Sequence, residues 1–334
     1  MILDVLDGGL LTTVQDAGRP GWTHLGVPVS GAADPWSRAV ANLLAGNDEG
    51  EAALEMTLIG PRLRARTGGL IGLAGADLGG RVVGGRRLGV GRSHWVAAGD
   101  EIAFEGAGAG RRPGRGARCY LAVAGGIDVP VVLGSRSTCL AGGFGGLDGR
   151  AIRPGDQIAK TDAPDRGGPA EAELVWPAAN PNGTGRDDGP VALRVLPSPD
   201  DGADALADGT WRVAAAADRV GVRLEGRALP AELGGETLTH GVPWGAIQIP
   251  PDGRPIILSA DHQTTGGYRV AAVVISADLP LVGQLRPGDE VRFVVTDLAE
   301  ADRAVRARHE ALAAGAAALR EAAGWDDLVA SAGG

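Results

Sequence analysis

The sequence predicts a mainly β protein of the α+β class, built as two β-rich halves, and three observations carry that prediction. Short apolar runs bounded by Gly, Pro or Asp recur along the chain. Glycine contributes 56 of 334 residues without a collagen-like period, which implies many tight turns. One corner also recurs, as Ala98-Gly99-Asp100-Glu101-Ile102, Pro154-Gly155-Asp156-Gln157-Ile158 and Pro287-Gly288-Asp289-Glu290-Val291, each time placing a turn directly before a strand. Corners of one kind point to a barrel or a sandwich.

In chain order the predicted strands are Leu70–Ala74, Glu101–Phe104, Arg118–Val123, Val191–Leu196, Val220–Leu224, Ala246–Ile249, Pro255–Ser259, Tyr268–Ser276 and Glu290–Val295. A first helix starts at Asp34 as N-cap with Pro35 in its first turn, carries Trp36, Val40, Leu43 and Leu44, and stops at Gly46. A second starts at Asp297 with Glu300 three residues on, and its Leu298, Val305, Leu312 and Leu319 form an amphipathic stripe that packs on the body or on a partner. Thr161 to Gly189, rich in Pro, Gly, Asp and Asn, reads as a linker. The expected organisation is an N-terminal half over 1–162, a linker over 163–189, a C-terminal half over 190–297 and a C-terminal helix over 298–325.

Charge and motif content exclude several functions. The net charge of −9 disfavours nucleic acid or an anionic membrane as partner. No apolar stretch reaches the ~18–20 residues of a membrane span, and no secretory signal opens the chain, so a cytoplasmic protein is expected. The single lysine, Lys160, has no P-loop before it. Cys119 and Cys139 make no C-x-x-C and read as reduced thiols, while the histidines show no zinc spacing, so no metal site is expected. A G-x-S-x-G elbow is absent as well.

Four clusters join polar side chains to turn glycines, where a rigid β scaffold presents function. The first holds Gln15, Asp16, Arg19, His24, Ser30 and Asp34; Arg19 either forks a carboxylate or phosphate, or braces Asp16. Glu55 and Asp77 belong to the second, as a candidate carboxylate pair or as two structural carboxylates. The third sets Arg136 among glycine loops able to form an anion nest. Densest is the fourth: His240, Gln248, then Asp261, His262, Gln263, Thr264, Thr265, Gly266, Gly267 and Tyr268, read as a turn between two strands. A plain hairpin rarely needs so much hydrogen-bonding capacity. The first and fourth segments are expected to converge, with Arg19 on an anionic group and Gln263, Thr264 and Thr265 orienting an amide.

Several motifs carry a resemblance. TVQDAGRPG at 13–21, GVPVSGAAD at 26–34, ANLLAGN at 41–47, LEMT at 54–57, GGIDVP at 125–130, GAIQIP at 245–250, DHQTTGGY at 261–268 and DLP at 278–280 stand in order along the chain. Together, over residues 5–297, the sequence resembles the biotin-dependent carboxyltransferase-like family, also called allophanate hydrolase subunit 2, KipA or the C-type subunit of 5-oxoprolinase.

The resemblance implies two cyclophilin-like β-barrel halves. It implies a subunit of an ATP-dependent 5-oxoprolinase, acting with a B-type (KipI-like, allophanate hydrolase subunit 1-like) partner and an A-type subunit on a small amide, with ATP and Mg serving the complex. A carboxyltransferase moving carboxylate from carboxybiotin to urea is the alternative, with biotin on a separate carrier because the chain lacks a biotinyl-lysine motif. A KipA-like regulator that sequesters a KipI-like kinase inhibitor is a third. The family often has Arg where this chain has His262, so neither His262 nor His240 is assigned as a catalyst.

Overall fold

The structure, a computed structural model, describes residues 1–106, 116–161, 174–176, 189–200 and 202–323. The chain forms two compact units, one from Met1–Gly18, Pro35–Ala179 and Glu310–Gly334, the other from Arg19–Asp34 and Asn180–His309. The segment read as a linker lies outside the described residues except at 161, 174–176 and 189.

The first unit contains β1 (Ile2–Asp7), β2 (Leu11–Gln15), α1 (Pro35–Leu44), β3 (Ala53–Thr57), β4 (Arg62–Thr67), β5 (Gly69–Gly75), β6 (Gly80–Val82), β7 (Arg92–Val96), β8 (Glu101–Phe104), β9 (Arg118–Val123) and β10 (Gln157–Ala159). They make two five-stranded sheets, β10-β1-β4-β8-β6 and β2-β3-β9-β5-β7. Alternation explains the core between them: on β4, Leu63 and Ala65 point inward while Arg62 and Arg64 pair with Glu101 outside. Leu3, Val5, Leu63 and Ile102 of one sheet join Val14, Leu54, Met56, Ile71, Leu121 and Val123 of the other. Cys119 sits in the same core, and Cys139 is equally buried. Helix α1 packs on β5 and β9 and ends where Gly46 turns back with φ +77°.

The second unit contains β11 (Val191–Pro197), α2 (Ala203–Ala207), β12 (Thr210–Val213), β13 (Gly221–Glu225), β14 (Glu236–Gly241), β15 (Ala246–Ile249), β16 (Ile256–Leu258), β17 (Thr265–Val274), α3 (Leu279–Gln284) and β18 (Glu290–Val295). The order β11-β18-β12-β13-β16-β15-β17 closes because β17 also pairs with β11, giving a seven-stranded barrel with β14 added along β17. Leu193, Trp211, Val222, Leu224, Ile247, Ile257 and Phe293 fill it, and the Trp211 indole N–H is satisfied by the Leu206 carbonyl at 3.0 Å.

The recurrent corner is one turn used three times. Gly99, Gly155 and Gly288 have φ of +90°, +93° and +89°, the left-handed geometry that the third position of a type II turn requires. The following Asp100, Asp156 and Asp289 each accept the N–H of the residue three places earlier, at 2.9, 2.8 and 2.8 Å. Each then enters β8, β10 or β18.

Helix α4 (Leu298–Ala323) begins as its capping box predicts, with Glu300 N–H on Asp297 Oδ1 at 2.8 Å. Its residues through His309 belong to the second unit and those from Glu310 to the first. The heptad stripe is corrected at its start: Leu298 is 75% exposed, whereas Ala304, Ala316 and Leu319 are buried. A 3.6-residue turn drifts about 20° per seven residues, so one stripe cannot stay on one seam over three heptads. Two other readings also change. Strand β17 starts at Thr265 rather than Tyr268, because the unpredicted β14 pairs with it at Gly241–Thr265, His240–Gly266 and Glu236–Tyr268. Thr265, Gly266, Gly267 and Tyr268 are therefore strand residues, not turn residues. Among the described residues, no helix is long and apolar enough to cross a membrane.

Candidate functional site

The first unit holds a buried polar centre on the outer face of its second sheet. Direct pairing brings Thr13, Glu55 and Tyr120 level across β2, β3 and β9, on the opposite face from Val14, Leu54 and Leu121. Tyr120 Oη donates to Glu55 Oε2 at 2.7 Å, Arg118 Nε lies 3.3 Å from Glu55 Oε1, and all three residues are buried. Gln15 Nε2 donates to Thr13 Oγ1 at 3.0 Å and to the Thr138 carbonyl at 3.1 Å. Sequence reasoning missed Arg118 and Tyr120; the signal was present in the alternation of Arg118, Tyr120 and Ala122 against Cys119, Leu121 and Val123. Glu55 and Asp77 do not act as a pair, since Asp77 is held by Arg87 at 2.6 Å.

Asp16 organises the loop after β9 that sequence reasoning treated as a separate cluster. Its carboxylate accepts from Gly18 N, Ser135 Oγ, Ser137 Oγ and Arg136 N. Arg136 contributes its backbone here, and its side chain is half-buried.

The second unit holds the other centre, built around Gln248 and the 259–263 turn. Arg219 forms a bidentate pair with Asp261, Nε to Oδ2 at 2.7 Å and a terminal nitrogen to Oδ1 at 3.1 Å, both side chains being 3% exposed. The same guanidinium donates to the Gly31 carbonyl at 2.7 Å, which seats the 19–34 segment beside the 259–263 turn. Within that segment Arg19 is fully buried with its N–H on the Val29 carbonyl, and Asp34 Oδ2 accepts from Gln284 Nε2 at 2.7 Å. Ser30 is buried and held at φ +56°, and its hydroxyl has no hydrogen-bond partner among the described residues. A non-glycine residue there costs on the order of 1 kcal/mol, a strain that clusters at functional sites.

Gln248, on β15, is 2% exposed, and its Nε2 likewise has no partner among the described residues, while its Oε1 accepts from Gln263 Nε2 at 3.3 Å. Opposite it stands Gly266, where a Cβ would lie 2.3 Å from Nε2, so glycine is what lets the amide reach this position. His262 Nδ1 donates to the Gln263 carbonyl at 2.6 Å, and burial pulls the ring's pKa below its usual 6.5, with that bond and Asp261 acting in the opposite sense. Burial thus favours the neutral ring, in which Nδ1 is the donor and Nε2 an acceptor.

The backbone of the neighbouring residues is engaged in the sheet, and other predicted residues lie on separate elements. Thr264 offers its carbonyl to Val242 N–H, Thr265 and Gly266 are committed to the β14 ladder, and His24 is exposed on a short helical turn at Thr23–Leu25. Tyr268 lines a separate cavity. Arg219 and Gln284 were missed because each stands alone in sequence, without a polar run around it.

This architecture has counterparts among known proteins. Residues 25–295 match the family described as "Carboxyltransferase domain, subdomain A and B". The chain belongs to that family. The 5-oxoprolinase C-type subunit of Escherichia coli is 36% identical over 313 residues, covering 91% of this chain and 94% of that protein, and the Haemophilus influenzae protein of the same name is 31% identical over 90% and 93%. Urea amidolyase of Lachancea kluyveri is 34% identical over 87% of this chain, which spans only 17% of that protein. The crystal structure of Kluyveromyces lactis urea carboxylase superposes with a TM-score of 0.81 at 29% identity, covering 94% of this chain and 29% of its own. In a further solved structure, 36% identical at a TM-score of 0.76, this chain spans about half of the whole, 55%.

Proposed function

We propose that this protein is the C-type subunit of an ATP-dependent 5-oxoprolinase-type complex, in which it acts with a B-type subunit, and with an A-type subunit, to open the lactam of 5-oxoproline to glutamate. The observation that carries the proposal is the 36% identity to the Escherichia coli 5-oxoprolinase C-type subunit across 94% of that protein. The Gln248 centre agrees with it chemically. An unstrained lactam is a poor electrophile, and a neutral amide donor aimed from a buried site can bind its carbonyl oxygen and hold the charge that develops there. Gln263 orients Gln248, Gly266 leaves the room, and neutral His262 offers an acceptor to a water or to the ring N–H. The Asp261–Arg219 pair fixes the turn that carries them.

No P-loop precedes Lys160, and among the described residues no three His, Cys, Asp or Glu side chains are grouped to hold a metal ion. ATP with Mg is assigned to the complex as a whole, where it would supply the phosphoryl group that activates the lactam oxygen. The direct test is co-expression with B-type and A-type subunits and assay of ATP-dependent 5-oxoproline hydrolysis. Turnover by the complex and none by the isolated chain is the expected result; robust turnover by the isolated chain contradicts it.

A second reading, carboxyl transfer to urea from a separately carried biotin, is favoured by the match to urea carboxylase at a TM-score of 0.81. Urea consumption with a biotin carboxylase and a carrier, in place of 5-oxoproline hydrolysis, would select it.

A further inference from the structure

Outside the Gln248 centre, the second unit carries a cavity of about 340 Å³ that no part of the proposed chemistry uses. Four charged side chains line it: Arg223, Glu225, Asp252 and Arg254. We infer that this cavity is a binding site for a small zwitterion of the α-amino-acid class with an apolar side chain.

The placement of the charges comes from the backbone. Arg223 and Glu225 alternate with the core residue Leu224 on β13, so both face outward on the same side of the strand. Strand β16 runs antiparallel to it with Arg223 opposite Ile256, and the ladder continues through Leu224 N–H on the Pro255 carbonyl at 2.9 Å. Arg254 directly precedes Pro255. Asp252 precedes it in a turn held by Gly253, at φ +71°, whose N–H reaches the Pro250 carbonyl at 3.0 Å. The framework is therefore preformed.

Side chains placed this way would be expected to pair, and they do not. None of the four forms an ion pair with a described residue, and the only hydrogen bond among them is Arg254 N–H on Asp252 Oδ1 at 3.1 Å. Arg212, directly across from Glu225, bonds Glu290 instead. Two guanidinium and two carboxylate groups keep their capacity toward the cavity, and their charges cancel. A lone anion would meet Glu225 and Asp252, and a lone cation would meet the arginines. A ligand that is neutral overall but carries both charges satisfies the set, its carboxylate forked by a guanidinium and its ammonium on a carboxylate. Ala214, Pro255 and Tyr268 also line the cavity and offer apolar surface to a side chain. The volume lies in the range of small-molecule sites, roughly 300–1,000 Å³.

The test is isothermal titration calorimetry of the full chain at low salt with L-leucine, 3-methylbutylamine and 4-methylpentanoate. The expected result is saturable binding of L-leucine at about millimolar concentration, with each analogue, lacking one charge, weaker by about tenfold or more. Arg254→Gln and Glu225→Gln, both on exposed side chains, should each weaken L-leucine by a similar factor at unchanged Tm. Equal binding of an analogue, no saturation by ~20 mM, or wild-type affinity in both variants would overturn the assignment. None of these readouts depends on the lactam chemistry.

Discussion

Asp16 and Gln248 are both polar residues set near strand ends, one in each unit, and they spend their hydrogen-bonding capacity in opposite ways. Asp16 receives four donors from its own chain, two hydroxyls and two backbone N–H groups, and so pins the 135–137 loop to the end of β2. Gln248 is more deeply buried, yet its Nε2 donates to nothing described. Folding normally removes such orphans, because leaving a buried donor unmade costs about 1–3 kcal/mol. A carboxylate whose lone pairs are filled by its own chain is architecture. A buried amide held in place by Gln263 and Gly266, with its donor unspent, is poised for something that binds.

The contrast predicts different consequences of mutation, the largest where a satisfied carboxylate is also fully buried. Asp261→Ala removes the carboxylate that balances the buried Arg219 guanidinium and should cost about 3–5 kcal/mol, read as a fall in Tm and in denaturant midpoint. Asp16→Ala should cost about 2–3 kcal/mol by loss of charge-assisted bonds, with proteolysis enhanced in the 135–137 loop. Gln248→Leu should behave in the reverse manner, with stability within about 1 kcal/mol of the parent and turnover of the assembled complex down about tenfold or more. A Gln248→Leu protein that loses stability but keeps its rate would place Gln248 with Asp16 and end the distinction.

The smallest effect concerns pH. His262 has a lowered pKa in the folded state, so the unfolded chain takes up its proton first as pH falls, and stability should drop below about pH 6.5 while staying flat for this group above it. In His262→Gln that part of the slope should vanish. An unchanged pH profile of Tm would show that the imidazole is not held neutral by burial.

Much of this was legible before the fold was known. The Gly-Asp corners could be read because a type II turn dictates its own residues, and the nine predicted strands because apolar runs between breakers permit little else. Strands β2 and β4 escaped for a physical reason: Thr13 and Gln15 are buried polar residues, and Arg62 and Arg64 line an outer face. Their strand character comes from sheet neighbours far along the chain. Strand β14 is exposed along almost its whole length and shows no alternation to detect. At the site, Gln248, Gln263 and Gly266 stood out as a polar group, whereas Arg219, which ties Asp261 to Gly31, is a lone arginine whose partners only tertiary structure supplies.

The placement of Cys119 and Cys139 has a practical corollary. Both thiols are fully buried and so shielded from reagents in the folded chain, and burial in addition pushes the Cys119 thiol far above its ordinary range. A thiol-reactive dye should therefore leave the native molecule unlabelled and mark it only as it opens. With a single reagent and no introduced probe, the rate of dye uptake becomes a clock for unfolding.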